Sequence, residues 1–404
     1  MKRLGTFGLH ELINSLSNNT QMAGFVRMQK ILVVGAGFAG AVYARMLAEG
    51  GYIVTVIDRR SHIGGNCFDY IHESGVRVHK YGPHLFHTSN HRVVAWLSQF
   101  TSWVDYNHRV VAKIDGDRLV PLPINRKTLN ITLGLDLKTS EQVEEYLTNV
   151  SSKDDVISNA EDWLFANIGK KLTDLYFRPY TKKMWNLDLS DMDASVVKRI
   201  NIRVDDDDRY FPLDTFQGMP AEGYTNLFEK IFEHERINVL TNIEFDKKML
   251  PDYDFCFNSM PIDVFFDYEF GDLPYRSIKF HTKIVRIADA ASEVTINYTD
   301  SGPYTRETWW HNIPNHHLFE TGEVVCTVEE PCDYKENYME RYYPVKTHDR
   351  RYENVYQLYS NKAKELRNMQ FIGRCGTYQY LDMHQVINQS LIGAAKWLTE
   401  RQCK

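Results

Sequence analysis

Short apolar runs and a helical pattern alternate near the start of the chain. Residues 30–34 form an apolar run, glycines follow, and residues 41–49 repeat apolar side chains at helical spacing. Gly50 and Gly51 end this helix, and a second apolar run, Ile53–Asp58, closes on an acid. The order strand, helix, strand predicts a βαβ unit whose crossover makes its two strands parallel.

The periodicity then becomes helical from about residue 125 to 199. Apolar residues recur at helical spacing in 141–147, after Ser140 as the expected N-cap, and again in 160–165. This stretch predicts an inserted helical domain. The acidic run that follows, 205–208, is expected to form an exposed loop, because like charges repel one another and resist packing.

Strand-like runs return in the second half of the chain and predict a larger, mostly antiparallel sheet. These runs lie at 238–241, 255–258, 277–283, 293–298 and 323–328. A further run at 370–374 is expected to rejoin the parallel sheet, and a helix from about Met383 to Arg401 follows. The pattern as a whole therefore predicts an α/β protein.

Composition limits the classes of partner. The 404 residues are 43% hydrophobic and 25% charged, which is enough for a substantial core in two or three domains. The net charge of −6 gives no reason to expect a nucleic-acid partner, since that requires clustered basic residues. We expect no membrane span, because no apolar run approaches about eighteen residues. Six scattered cysteines without metal-ligand spacing indicate reduced thiols, a cytoplasmic location and no metal site.

A glycine motif joins the first predicted strand to the helix. Gly35, Gly37 and Gly40 stand at the spacing G-x-G-x-x-G, and Asp58 ends the second strand. In dinucleotide-binding domains these glycines allow a tight turn, close approach of backbone amides to a pyrophosphate, and close helix packing, while the acid accepts ribose hydroxyls. In this context the motif predicts a Rossmann-type dinucleotide-binding domain.

A second glycine pair, Gly64 and Gly65, follows the acid closely. This spacing resembles that of flavoproteins such as amine oxidases and sugar-nucleotide mutases, so FAD is expected rather than NAD. Gly373 and Arg374 resemble the second flavin-contacting segment of these enzymes, where a helix N-terminus faces the flavin ring. The cofactor-binding residues implied by this resemblance are Gly35, Gly37, Phe38, Ala39, Gly40, Asp58, Arg59, Gly65, Asn66, His84, Gly373, Arg374, Asp382 and Met383.

Further segments resemble one family across nearly the whole chain. Residues 79–88 are similar to the flavin-facing histidine segment of the UDP-galactopyranose mutases. Other similar blocks stand in family order at 178–185, 208–211, 223–225, 275–277, 304–306, 342–345 and 378–385. The resemblance implies an isomerase that uses reduced FAD to convert a nucleotide-linked hexopyranose, first of all UDP-galactopyranose, into its furanose. In the family mechanism the flavin N5 attacks the anomeric carbon, expels the nucleotide diphosphate and forms an iminium with the opened sugar.

The resemblance also implies which residues act on the substrate. A nucleotide diphosphate carries about two negative charges, and two family arginines fork onto its phosphate oxygens. The later one matches Arg306, and the earlier one matches either Arg199 or Arg203 on a flap that closes over the substrate. The alternative for the earlier one is a surface arginine paired with the acidic run. His87 is expected beside the flavin ring, which it orients.

The substrate pocket implied by the family is mostly aromatic. Tyr180 and Trp185 match positions that pack on the uracil and the sugar, and further tyrosines offer neutral donors to the diphosphate. The substrate-binding set is Tyr176, Phe177, Tyr180, Thr181, Trp185, Arg199, Arg203, Tyr210, Arg276, Asn297, Arg306, Tyr343 and Tyr380. The family also implies a homodimer, an external reductant and a role in polysaccharide biosynthesis.

Departures from the family pattern leave the substrate open. Residues 258–263, 308–311 and 374–376 differ from the usual blocks near the expected site. The alternative substrate is dTDP-fucopyranose, since the loss of one hydroxyl alters few contacts. A flavin amine oxidase would share the nucleotide fold but would not need phosphate-binding arginines. A non-catalytic nucleotide-binding protein would show no dependence on flavin redox state.

These motifs divide the chain into five expected segments. Residues 1–27 are an N-terminal extension, which lacks the continuous apolar region of a secretory signal. Residues 28–124 are the Rossmann-type part of the FAD-binding domain, and 125–200 are the inserted helical domain. Residues 201–365 are the substrate-binding sheet domain with returns to the FAD domain, and 366–404 are the C-terminal FAD-binding part.

Overall fold

The computed structural model describes residues 28–152, 156–198 and 201–402, so the predicted extension 1–27 lies outside the described residues. Within these ranges the strands are β1 (Lys30–Val34), β2 (Ile53–Asp58), β3 (Asp69–Ile71), β4 (Arg77–His79), β5 (Phe86–Thr88), β6 (Trp103–Asp105), β7 (Val110–Ile114), β8 (Arg118–Leu122), β9 (Phe216–Pro220), β10 (Ile237–Thr241), β11 (Phe255–Asn258), β12 (Tyr275–Arg286), β13 (Thr295–Tyr298), β14 (Arg306–Trp309), β15 (Glu323–Asp333), β16 (Tyr343–Pro344) and β17 (Met369–Phe371).

The helices of the same ranges surround these strands. They are α1 (Phe38–Glu49), α2 (His91–Leu97), α3 (Arg126–Leu133), α4 (Ser140–Val150), α5 (Ala160–Leu172), α6 (Arg178–Trp185), α7 (Ser195–Lys198), α8 (Gly223–Phe232), α9 (Ile262–Phe265), α10 (Arg351–Ala363), α11 (Gly373–Gly376) and α12 (Met383–Gln402). A π-helical turn at 173–177 joins α5 to α6. In the part of the chain that the structure describes, no helix is long and apolar enough to cross a membrane.

A parallel sheet contains the predicted βαβ unit. Its strands stand in the order β10-β2-β1-β11-β17, all parallel, and β1 lies at the centre with four of its five residues buried. The predicted return of 370–374 to this sheet is confirmed by β17. The prediction that 238–241 and 255–258 belong to the larger sheet is wrong, because β10 and β11 lie here. A short apolar run indicates burial but does not identify its partner strands.

The larger sheet is mostly antiparallel, as predicted. Its order is β16-β12-β15-β14-β13-β7-β8, and the pair β13–β7 is parallel. The hairpin β7–β8 precedes the helical segment in sequence, yet it pairs here rather than with the nucleotide-binding part to which 28–124 were assigned. The register sets Arg306 of β14 opposite both Asn297 of β13 and Glu329 of β15.

Helices α3 to α6 form the predicted helical region, and their core is shared with strands β7, β8 and β12 of the larger sheet. Leu129, Val143, Leu164 and Ile168 are among the buried residues of that core. The predicted N-cap of α4 is wrong by one residue, because Thr139 rather than Ser140 accepts the Gln142 N–H. The Gln142 side chain in turn accepts the Thr139 N–H at 3.3 Å, which completes a capping box.

The prediction of a loop at 205–208 is confirmed, but only Asp205 is exposed and the other three acids are half-buried. Asp206 is paired with Arg126 at the start of α3, and Asp208 is paired with Arg109 at 2.8 Å. Asp207 lies 2.6 Å from an Arg209 nitrogen. Each carboxylate thus has an arginine within reach, and these ion pairs offset the repulsion that the sequence pattern indicated.

The two candidate caps of α4 make a direct test. We expect Thr139→Ala to lower the free energy of unfolding by about 1 kcal/mol, because the Gln142 N–H loses its acceptor. Ser140→Ala, the matched control, should change it by less than about 0.5 kcal/mol. Urea denaturation measures both, and a larger loss in Ser140→Ala would contradict the capping box.

Candidate active site

A cavity of about 510 Å³ opens at the carboxyl ends of the parallel strands. Its wall includes residues of the loops after β1, β10, β11 and β17, together with the end of β2. Ligands of open α/β sheets bind at this edge, where the loops after the strands supply the contacts. The position of the cavity is therefore that of a dinucleotide site.

The predicted cofactor-binding residues converge on this cavity. All of them except Asp382 stand in its wall, including the two distant segments at Gly65 and Gly373. The first and last quarters of the chain thus meet at one site, as the resemblance to flavoproteins implies.

The glycines leave room for backbone close to a ligand. Gly35 has a φ of +100°, and a Cβ there would lie 2.0 Å from the Ser259 hydroxyl oxygen. Gly37 and Gly65 face each other so closely that a Cβ on Gly65 would stand 3.0 Å from the Gly37 Cα. Gly37 caps α1 without a side-chain acceptor, which leaves the first N–H groups of the helix available for an anion. This part of the wall fits a pyrophosphate.

Asp58 has a structural role beside the one predicted. Its carboxylate accepts the Ala36 N–H at 2.8 Å and the Arg60 N–H at 2.9 Å, so it ties the glycine turn to the loop after β2. The ribose contact expected of this acid stays a prediction.

An ion-paired group that the sequence did not predict lies in the wall of the same cavity. Glu340 lies 2.9 Å from an Arg59 nitrogen and is also paired with Arg60. The Arg60 guanidinium lies 4.3 Å from the centre of the Tyr81 ring. No sequence motif indicates this contact, because Glu340 is almost three hundred residues away from its partners.

One of the two histidines predicted from the histidine segment lines the cavity. His84 stands in the cavity wall, and burial lowers the pKa of its imidazole to about 4. His87, predicted beside the flavin ring, is not part of this wall. Its Nδ1 lies 2.6 Å from Asp214, and its ring stacks on Phe211 at 3.5 Å between centroids.

Arg306 forms the centre of a second group of predicted residues. Its Nη2 donates to the Tyr180 hydroxyl at 2.7 Å, and its Nε lies 3.3 Å from Glu329. Burial alone would lower the pKa of Arg306, but Glu329, Tyr180 and Tyr343 together raise it above its ordinary value. The guanidinium is therefore held charged next to aromatic hydroxyls. Glu329 was missed by the sequence reasoning, although a carboxylate after a buried strand run is an available signal.

Three aromatic side chains connect this group to the cavity. Trp185, Tyr343 and Tyr380 lie with ring centroids 5.2 to 6.0 Å apart. The Arg374 guanidinium, which lines the cavity, is 5.5 Å from the Tyr343 ring and 5.4 Å from the Tyr380 ring. The structure thus brings the expected base and sugar pocket next to the expected flavin site.

Arg276 does not point a free guanidinium at this pocket. It donates to the Met184 carbonyl at 2.8 Å and to the Lys183 carbonyl at 3.2 Å, which satisfies the last carbonyls of α6. Its predicted contact with the substrate is corrected to a contact that supports the helix bearing Trp185.

The remaining predicted residues occupy several surroundings. Tyr176 and Phe177 are buried in the core of the helical region, and Tyr176 is bonded to Thr132. Thr181 is also buried. Asn297 is buried opposite Arg306, while the Tyr210 N–H donates to the His108 carbonyl at 2.7 Å.

The earlier diphosphate arginine was left as Arg199 or Arg203, and Arg199 lies outside the described residues. Arg203 is 3.1 Å from Asp205 and 3.0 Å from Asp207, and its side chain is 12% exposed. The predicted pairing with the acidic run is therefore what the structure shows for Arg203, but the side chain is mostly buried and not at the surface.

The parallel sheet, the glycine-lined cavity and the two segments that close it define a Rossmann-type flavoprotein. The family model for UDP-galactopyranose mutase matches residues 175–380, and that for an NAD(P)-binding Rossmann-like domain matches 33–100. A probable UDP-galactopyranose mutase from Klebsiella pneumoniae is 37% identical over 92% of this chain and 95% of its own. The dTDP-fucopyranose mutase from Escherichia coli is 35% identical over 90% of this chain and 97% of its own.

A solved structure of reduced UDP-galactopyranose mutase has the same fold. It superposes with a TM-score of 0.71 over 93% of this chain and 94% of that one, at 16% identity. The chain belongs to the UDP-galactopyranose mutase family. It is therefore a sugar-nucleotide mutase, an isomerase, and its cofactor is FAD.

Buried histidines make the stability of the protein dependent on pH. Burial lowers the pKa of His84 and His316 to about 4 and that of His108 to about 3. The unfolded chain, with histidine pKa values of about 6.5, binds these protons first as the pH falls. We expect stability to be fully present above about pH 6.5 and to decline steadily below it.

Urea midpoints at about pH 7.5 and about pH 5 measure this decline. His108→Gln should reduce the decline, whereas His281→Gln, at an exposed histidine paired with Glu330, should leave it unchanged. Equal midpoints for the wild-type protein at both pH values would contradict the neutral state of the buried histidines.

Proposed function

We propose that this enzyme interconverts UDP-galactopyranose and UDP-galactofuranose and is active with reduced FAD. The observation that carries the proposal is the partly buried, charged Arg306, held by Tyr180 and Glu329 beside the aromatic group that adjoins the FAD cavity. A chain of net charge −6 must meet an anionic substrate with local positive charge. Arg306 offers that charge next to rings that suit a base and a sugar.

The residues around Arg306 divide the substrate between them in this proposal. Arg306 and Arg203 hold the diphosphate, so that the nucleotide stays in place while it is detached from the sugar. Trp185 and Tyr180 pack on the base and the sugar, and Tyr343 offers a neutral hydroxyl to a phosphate oxygen. Burial raises the pKa of Tyr343, which keeps its proton available for donation.

Arg203 reaches a diphosphate only by exchanging its present partners. It is bound to Asp205 and Asp207, so the substrate competes with two carboxylates for one guanidinium. In this proposal the segment that bears Arg203 moves as a flap when substrate binds, because Arg203 is released from its ion pairs with the two carboxylates.

The cofactor site supports the same reaction. When bound in its reduced form, FAD supplies a nucleophilic N5 for the anomeric carbon, and the sugar undergoes no net oxidation. Gly37 and Gly65 leave space for its pyrophosphate, and the N-terminus of α1 meets the negative charge. His84 stands in the wall as a neutral polar contact.

A second candidate substrate is dTDP-fucopyranose. The Escherichia coli relative with that name is almost as similar to this chain as the Klebsiella pneumoniae relative. Both substrates present a diphosphate to Arg306 and differ in the base and in the sugar C6. An amine oxidase reaction gives no use to the charged Arg306 and is not favoured.

The setting of the enzyme is proposed on family resemblance. We place it in the cytoplasm as a homodimer, with an external reductant that keeps the flavin reduced. The furanose product would enter polysaccharide biosynthesis.

The function is tested by anaerobic turnover with each substrate. Enzyme reduced with dithionite should form furanose from UDP-galactopyranose, and oxidised enzyme should form none, since the reaction needs the electron pair of the reduced N5. Chromatography separates the products. Faster turnover of dTDP-fucopyranose would make it the proposed substrate instead of UDP-galactopyranose. The absence of furanose from both substrates would overturn the proposal.

Arg306 is tested by charge and shape separately. We expect Arg306→Ala to lower kcat/KM by at least about 100-fold while flavin absorbance shows FAD still bound. Arg306→Lys should recover only part of the loss, because a lysine lacks the planar fork. Full activity in Arg306→Ala would remove Arg306 from the site.

Arg203 has a matched control in the same segment. We expect Arg203→Ala to raise KM for the sugar nucleotide about 10-fold or more, because one diphosphate contact is lost. Arg209→Ala removes a neighbouring ion pair to Asp207 but no proposed substrate contact, so its KM should stay close to that of the wild type. Equal KM values for the two variants would exclude Arg203 from the substrate site.

A further inference from the structure

Three histidines form a hydrogen-bonded chain behind the FAD cavity. We propose that His79 and His316 are positioning residues that fix His84, in the cavity wall, as a neutral hydrogen-bond acceptor. His79 and His316 are each 1% exposed, and neither lines the cavity. The proposal depends on the bound cofactor and is independent of which sugar nucleotide is the substrate.

The hydrogen bonds determine where each proton lies. The His84 backbone N–H donates to His79 Nδ1 at 3.1 Å, so this nitrogen carries no proton. The Nε2 atoms of His79 and His316 are 3.0 Å apart, and one of them must donate. His316 Nδ1 lies 2.9 Å from the Pro314 carbonyl, which accepts only. His79 therefore donates from Nε2, and His316 accepts at Nε2 and donates from Nδ1.

Backbone contacts hold the chain of imidazoles in register. The Arg77 N–H donates to the His316 carbonyl at 2.7 Å, and the Leu318 N–H donates to the Gly75 carbonyl at 2.9 Å. Val76 and His317 form a bridge between these two bonds. The segment that bears His316 is thus fastened along β4, which ends at His79.

His84 receives its orientation from both ends of its own turn. Its backbone is bonded to His79, and its Nδ1 donates to the Gly82 carbonyl at 2.8 Å. Gly82 has a φ of +84°, a conformation that lets the chain turn back between the two histidines. The ring nitrogen left to interact with the cavity is Nε2, which is an unprotonated acceptor.

The three hydrogen-bonded histidines admit a single protonation state. A proton on His79 Nδ1 would face the His84 N–H, and a proton on His316 Nε2 would face the proton that His79 donates. The groups facing the three rings are Arg77, Asp69, Arg374, Tyr224 and Trp310. Both cations among them disfavour a charged imidazole, and burial lowers the pKa of all three histidines. His84 is consequently kept neutral in the wall that meets the cofactor.

Nuclear magnetic resonance of the FAD-loaded enzyme with ¹⁵N-labelled histidine tests the proton positions directly. We expect protonated Nε2 on His79, protonated Nδ1 on His316, and no titration of either ring between about pH 7.5 and about pH 5. The opposite tautomer on either ring, or a titration in this interval, would overturn the proposal. This measurement needs no variant and no substrate.

Variants then test whether His79 and His316 position His84. His316→Phe removes the acceptor of the His79 Nε2 proton, and we expect FAD to bind about 10-fold more weakly, measured by quenching of flavin fluorescence on reconstitution. His316→Gln places a carbonyl near the same proton and should bind FAD within about twofold of the wild type. His311→Phe is the control, because His311 lies on the same segment as His316 but is not one of the three hydrogen-bonded histidines. This variant should also bind FAD as tightly as the wild type.

The outcomes distinguish a positioning role from packing alone. If His316→Phe binds FAD more weakly and His316→Gln binds it normally, the hydrogen bond is the cause of the effect. An equal loss of FAD affinity in both variants, or no loss in His316→Phe, would overturn the proposal. Because these readouts are flavin binding and imidazole spectra, failure of the proposed mutase reaction would leave them unchanged.

Discussion

The partners of one partly buried arginine organise the site of this enzyme. The Arg306 side chain is 28% exposed, and its charge is stabilised by a carboxylate and a hydroxyl that lie next to it. The antiparallel register between β14 and β15 supplies Glu329 directly opposite it, and α6 supplies the hydroxyl of Tyr180. The helical region and the larger sheet are therefore joined at the point where the diphosphate is expected.

The parallel sheet is tied to the same point through Arg374. Its guanidinium belongs to the cavity wall and lies over Tyr343 and Tyr380, whose rings pack with Trp185. Arg276 holds the carbonyls at the end of α6, so the position of Trp185 depends on a strand of the larger sheet. Substrate and cofactor sites thus share one continuous set of contacts across the three parts of the fold.

Local patterns in the sequence predicted the parts of the structure that local physics determines. The glycine turn between β1 and α1 follows from a glycine spacing that few backbone conformations admit, and the final strand β17 follows from a short apolar run. The cofactor-binding residues near the cavity follow from the resemblance to flavoproteins. Partners distant in sequence were not predictable in this way. The pairing of β10 and β11, the arginines that neutralise Asp205–Asp208, and Glu340 all depend on which segments meet after folding. The position of His87 beside the flavin stays a prediction, since its ring contacts Phe211 and Asp214 and is not part of the cavity wall.

The strand order also sets the sequence of events during synthesis. The centre of the parallel sheet is made near the start of the chain, but β11 and β17 are added from residues 255–258 and 369–371. Between the synthesis of β11 and that of β17, more than a hundred residues later, β11 presents a row of unpaired amides and carbonyls to other chains. A nascent chain therefore exposes an unpaired strand edge during this interval, and pairing with β17 removes it.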